Sequence, residues 1–162
     1  MREAKVIIVV GGRGSGKTYL LENTLKTNET IVIELAHTDR WQGYDKIYFN
    51  EIASDNFNYK AIANKSVVFE DATAYLSSNL AGKMKEILIF SKQLGSDIFI
   101  VFHSINVIPP FMWYLFNAIC LFTSSKPRQT ATNKEYFDKI LKAWAKCKNG
   151  EKYHYEIIES GI

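Results

Sequence analysis

The sequence predicts an α/β domain: a central, mostly parallel sheet with helices on both faces. Three features predict it. Short, β-branched and nearly all-apolar runs recur along the chain, stretches with helical spacing lie between them, and a glycine-rich turn joins the first such run to the first helical stretch. Strands covered on both faces read as continuous apolar runs, whereas strands with one wet face alternate. The alternation of strand and helix then argues for right-handed crossovers and a doubly wound sheet.

Lys5 to Val10 is the first strand, and Thr18 to Lys26 follows with Leu20, Leu21, Thr24 and Leu25 at helical spacing. Ile31 to Leu35 is the second strand and Lys46 to Phe49 a weaker one. Helical stretches at Glu51 to Asn64, Ala74 to Gly95 and Phe111 to Phe116 separate further strands at Ser66 to Glu70, Asp97 to His103 and Ala118 to Thr123. Beyond Lys126-Pro127-Arg128 the character shifts. Thr132-Asn133-Lys134-Glu135 has the form of a capping box, and Tyr136, Phe137, Ile140, Leu141 and Trp144 make one apolar helical face. Asn149-Gly150 then turns the chain into a terminal strand, Lys152 to Glu159. Without repeats, low-complexity tracts or long linkers, the 162 residues are expected to form a single domain, 1–162, with the helix and strand of 132–160 as an appended element.

The apolar fraction, 47%, is enough for a substantial core. No basic start, apolar run and small-residue cleavage site occur together at the N-terminus, so secretion is not expected. The longest apolar region, Ile98 to Phe122, is interrupted by His103, Ser104, Asn106, Pro109 and Pro110, so no transmembrane segment is expected. Cys120 and Cys147 lack metal-ligand or redox spacing and read as reduced, inert thiols. A net charge of +3 decides nothing about partners.

Gly11-Gly12-Arg13-Gly14-Ser15-Gly16-Lys17-Thr18 matches GxxxxGK[ST] and sits between a strand and a helix, where a phosphate-binding loop must sit. The glycines (Gly12, Gly14 and Gly16) and Ser15 let backbone N–H groups converge on a phosphate, and the helix adds its positive end. Lys17 is placed to reach the β- and γ-phosphates of ATP, and the Thr18 hydroxyl to bind Mg²⁺. Arg13 occupies a variable position of the motif.

Hydrolysis also needs a carboxylate near Mg²⁺ and another to polarise water, both at the C-terminal edge of a strand beside the loop. Ser66-Val67-Val68-Phe69-Glu70-Asp71 supplies that pair. The next strand ends in His103-Ser104. In NTPases with an additional strand between the loop strand and the acidic strand, that position carries a residue sensing the γ-phosphate.

With GGRGSGKT, VVFEDATAYL, the helix end Ser91-Lys92-Gln93-Leu94-Gly95 and IFIVFHSINVIPP in place, the chain resembles the FtsK/HerA superfamily of DNA-pumping ATPases over about residues 5 to 128. It is most similar to the genome-packaging ATPases of internal-membrane, double-jelly-roll viruses. The resemblance implies a homo-oligomeric, hexameric ring that threads double-stranded DNA without reading sequence. It implies a capsid or membrane protein of the virion as a docking partner, and a location in the host cytoplasm or at the packaging vertex. In such rings an arginine of one subunit reaches the γ-phosphate held by its neighbour. The chain has four arginines, Arg2, Arg13, Arg40 and Arg128, with Arg128 the first choice and Arg40 the second. The family places Asp first at the acidic strand end, whereas this chain has Glu70 and then Asp71. Glu70 is assigned to Mg²⁺ and Asp71 to water, with the two roles interchangeable.

Lys83, Lys85, Lys139, Lys142 and Lys146 are candidate DNA contacts or ordinary solvated lysines. Trp41 and Tyr44 stand where an adenine could stack or a core could close, and Phe111, Met112, Trp113 and Tyr114 suit a core or subunit contact. Two other classes stay open: a nucleotide-dependent phage-assembly or switch protein, and a small P-loop kinase, for which four arginines are few.

Overall fold

A computed structural model describes residues 3–73 and 80–161. Seven strands lie in one sheet: β1 (Val6–Val10), β2 (Thr30–Glu34), β3 (Asp45–Tyr48), β4 (Ser66–Phe69), β5 (Asp97–Phe102), β6 (Ala118–Leu121) and β7 (Glu156–Glu159). Their order is β3-β2-β4-β5-β1-β6-β7. All neighbours run parallel except β7, which pairs antiparallel with β6. Placing β5 between β1 and β4 makes this the additional-strand form of the P-loop NTPase fold.

Alternation along β1 divides the core. Val6, Ile8 and Val10 face one layer and Val9 the other. The first layer takes Phe49 and Ile52 of α2 (Phe49–Ala53), Met84, Ile87 and Leu88 of α3 (Leu80–Leu94), and Ile140 and Ala143 of α4 (Phe137–Asn149). The second is closed by Leu21 of α1 (Lys17–Thr24), Trp41 and Phe122. Helices therefore cover both faces, three against one among the described residues.

Three predicted helices differ from the observed structure. The stretch 51–64 holds α2 only to Ala53, followed by a 3-10 turn at Tyr59–Ile62. Ser54 Oγ takes the Asn56 N–H and Asn58 Oδ1 takes the Lys60 N–H, so short polar side chains capture backbone donors that a continuing helix would use. Residues 111–116 form a 3-10 turn, Pro110–Tyr114, instead of an α-helix. At 132–135 the expected capping box does not cap α4, which starts later, at Phe137. Asn133 instead folds into the preceding turn, accepting the Thr130 N–H at 2.8 Å and donating to the Arg128 carbonyl at 2.9 Å. The predicted start of the third helix at Ala74 lies outside the described residues, as does Arg2.

Candidate nucleotide-binding site

The carboxyl ends of β1, β4 and β5 meet at one edge of the sheet, where open α/β sheets carry their sites. The loop after β1 is tied down on both sides: the Gly11 N–H donates to the Phe102 carbonyl at 3.1 Å and the Gly12 N–H to the Thr123 carbonyl at 2.8 Å. Gly14 and Gly16 adopt φ of 75° and 106°, the left-handed region that disfavours a Cβ. Gly16 leads directly into α1, whose first N–H groups point back into the loop. Ser15 Oγ is buried with no hydrogen-bond partner among the described residues, a donor suited to an oxyanion. Arg13 is exposed at the rim.

Lys17 is buried, and its Nζ donates to the Gly11 carbonyl at 2.6 Å and the Gly12 carbonyl at 2.9 Å. Burial lowers its pKa, partly offset by the charges of Glu70 and Asp71. A partly desolvated ammonium surrounded by inward-facing N–H groups is a strong attractor for a polyanion.

Glu70 follows β4 and is 6% exposed, with its Oε1 3.4 Å from Thr18 Oγ1. A hydroxyl and a carboxylate at that spacing are hard oxygen donors, and the set fits Mg²⁺, which is held by one or two protein groups together with phosphates and water. No cluster of three or more His, Cys, Asp or Glu side chains able to hold a metal occurs among the described residues. Burial pushes the Glu70 carboxyl above its usual range, opposed chiefly by a hydrogen bond from Trp41.

Trp41 is the residue whose role the sequence did not disclose. It is fully buried, adopts φ 59°, and donates its indole N–H to Glu70 Oε2 at 3.0 Å. Its own backbone N–H donates to Glu22 Oε1 at 3.0 Å, and its ring meets Tyr44 edge-on at 5.1 Å. A bulky residue in the left-handed region carries strain that such contacts offset. Trp41 thus orients a carboxylate and offers no open face to an adenine; the half-buried Tyr44 lines the cleft, its hydroxyl lying 2.8 Å from both the Glu22 and Leu25 carbonyls.

Asp71 adopts φ 51°, a conformation Asp tolerates, and its Oδ1 lies 2.6 Å from His103 Nε2. His103 directly follows β5 and lines the cleft above the loop. Arg40 NH1 stands 3.9 Å from Glu70 Oε1 within the same cleft, whereas Arg128 is exposed and is not among the residues lining it. The cleft, about 1040 Å³, is also lined by Thr18, Tyr19, Gln42 and Tyr153. The structure therefore brings Lys17, Thr18, Glu70, Asp71 and His103 together and leaves Arg128 apart. Tyr153 joins them from the C-terminal segment; its sequence context carries no motif that could have flagged it.

No protein-family model and no curated protein matches the sequence. Solved structures do. The chain superposes on B204, the DNA-packaging ATPase from Sulfolobus turreted icosahedral virus, at TM-score 0.69 and 16% identity, over 99% of this chain and 95% of that one. The chain has the fold of the B204 ATPases. A second B204, the genome-packaging NTPase of Sulfolobus turreted icosahedral virus 2 in complex with ATP-gammaS, superposes at TM-score 0.71 and 16% identity over 99% and 94% of the two chains. The N-terminal domain of zonular occludens toxin from Neisseria meningitidis matches at TM-score 0.53 and 14% identity, over 85% of this chain and 91% of that domain. The B204 likeness runs through α4 and β7, beyond the part of the sequence that carries motifs. Among the described residues no helix is long and apolar enough to cross a membrane.

Proposed function

We propose that this chain is an ATP-hydrolysing DNA translocase that packages double-stranded DNA into a viral capsid. The observation that carries the reading is a phosphate loop facing Glu70, Asp71 and His103 across an additional-strand sheet, in a chain that shares the B204 fold from end to end. Gly12, Gly14, Ser15, Gly16 and Lys17 bind the triphosphate, while Thr18 and Glu70 hold Mg²⁺. The cation neutralises developing phosphate charge when bound. Asp71 orients and deprotonates the attacking water, and His103, 2.6 Å away, fixes that carboxylate and registers the γ-phosphate. Arg40 sits within its own subunit's cleft, so Arg128 is the arginine offered to a neighbouring subunit of a hexameric ring. Such a ring works in the host cytoplasm or at the packaging vertex of the virion, docked on a capsid or membrane protein.

The test is steady-state ATP hydrolysis with Mg²⁺ across protein concentrations, with and without double-stranded DNA, for wild type, Lys17→Ala, Asp71→Ala and Arg128→Ala. Stimulation by DNA, loss in each variant, and recovery on mixing Arg128→Ala with Asp71→Ala protein are expected. Turnover that ignores DNA and concentration overturns the reading. The alternative reading, a nucleotide-dependent assembly or switch protein, predicts ATP binding with no response to DNA.

A further inference from the structure

The cleft has a phosphate end, at the glycine loop, and the two aromatic residues that follow β2, Trp41 and Tyr44, are tied into the fold. Trp41 is buried against Glu70 and the Tyr44 hydroxyl is bound to backbone carbonyls. Tyr153 is the aromatic residue that the fold itself delivers to the loop. It lies in the turn between α4 and β7, is 52% exposed, and lines the cleft. A Cβ built on Gly16 would come within 2.9 Å of Tyr153 Cδ1, so the tyrosine rests directly on the last glycine of the loop.

Several contacts hold it there. Antiparallel pairing of β7 with β6 fixes the chain beyond it. Tyr155 packs against Phe122 at 5.3 Å between ring centroids, and the His154 N–H donates to the Glu151 carbonyl at 3.1 Å. Tyr153 itself has φ 69°, a left-handed conformation that a β-turn tyrosine adopts only under such constraint. Lys152 Nζ lies 4.9 Å from the centre of its ring, so the ring's present partner is a side-chain cation, and half of the residue is open to solvent. A cation over an exposed ring is held more weakly than a stacked base, so a base can displace it.

We propose that Tyr153 is the base-stacking residue of the nucleotide site: the purine of a nucleoside triphosphate packs on its ring while the phosphates occupy the loop below. This inference rests on the nucleotide reading of the loop. It gives the C-terminal segment a task, because α4 and β7 then place a binding residue as well as extending the sheet. Stacking reads a π-face and not a hydrogen-bond pattern, so ATP and GTP depend on Tyr153 alike.

Isothermal titration of the full chain with Mg-ATP and with Mg-tripolyphosphate separates base from phosphate. Tyr153→Ala is expected to weaken ATP roughly tenfold or more and to leave tripolyphosphate within about twofold, while Tyr153→Phe restores ATP binding. Tyr155→Ala and Tyr19→Ala serve as comparators, Tyr155 as a support outside the cleft and Tyr19 as the other exposed ring, 70% accessible, on its wall. Equal weakening of both ligands by Tyr153→Ala makes it a mere prop for Gly16 and overturns the proposal. So does unchanged ATP binding, or selective loss in Tyr19→Ala instead. Wild-type protein that binds neither ligand sinks the nucleotide reading itself; binding of tripolyphosphate with no added affinity for ATP sinks the base site alone.

Discussion

Trp41→Phe, combined with Glu70→Gln, tests whether the indole holds an ionised carboxylate or merely fills space. The indole N–H is 3.0 Å from Glu70 Oε2, and both residues are buried. A hydrogen bond to a charged group contributes roughly 1.5–3 kcal/mol, against roughly 0.5–1.5 kcal/mol for a neutral pair. Phe keeps a ring in the same position and loses the donor, so the packing cost of the smaller ring is shared by both backgrounds and cancels in the cycle. Urea denaturation of the four proteins at pH 8 should therefore show Trp41→Phe costing about 1 kcal/mol more beside Glu70 than beside Gln. An equal cost in the two backgrounds would refute the reasoning and reduce Trp41 to a core residue.

Other substitutions report on neighbouring features. Burial raises the Glu70 carboxyl in the folded chain above its ordinary value of 4.5, so the folded state binds the proton more readily than the unfolded one. The contribution of Glu70 to stability is then greatest below the unfolded value and is lost as pH rises through the folded one. Glu70→Gln should accordingly melt above wild type at pH 8, the gap closing as the pH approaches 4.5, as thermal scans across that range will show. Gly16→Ala should destabilise by ~2 kcal/mol or more, because φ 106° and the Tyr153 ring both oppose a Cβ. Chemical denaturation of Gly16→Ala with and without Tyr153→Ala should return part of the loss, leaving the backbone share. Cys120 is buried with its thiol pushed up to about 12, and burial raises Cys147 too. Iodoacetamide at pH 8 should leave both unmodified in the folded protein and label both in urea.

Most of the sheet was legible because the inner strands β1, β2, β4, β5 and β6 are buried on both faces and need an unbroken apolar run, and the loop because GxxxxGK[ST] has few other uses. Residues 51–64 read as a helix by composition; Ser54 and Asn58 stopped it by binding backbone N–H groups locally, a competition that apolar spacing does not register. Glu70, Asp71 and His103 were legible as polar ends of adjoining apolar strands. Trp41 was not, because a left-handed turn brings it onto a carboxylate 29 residues away, and no local pattern encodes that contact. Tyr153 was hidden for the same reason: its approach to Gly16 depends on β7 running antiparallel to β6, a decision of tertiary packing.

Arg40 and Arg128 occupy different places in the fold. Arg40 lies inside the cleft, 3.9 Å from Glu70, where its charge compensates that buried carboxylate within the same subunit. Arg128 is placed differently. Its backbone is gripped at both ends, the N–H by Asn106 Oδ1 at 2.8 Å and the carbonyl by Asn133 Nδ2 at 2.9 Å, while the residue itself is exposed. Asn106 also donates to the Lys126 carbonyl at 3.0 Å, fastening the segment on the far side of Pro127. A long cationic side chain on an anchored backbone loses less freedom when it meets a partner than one on a loose loop. On the proposed reading, a lone subunit binds ATP with its own Lys17 yet lacks a cation aimed at the γ-phosphate from outside. Hydrolysis then rises more steeply than protein concentration, because each added contact between subunits completes a site.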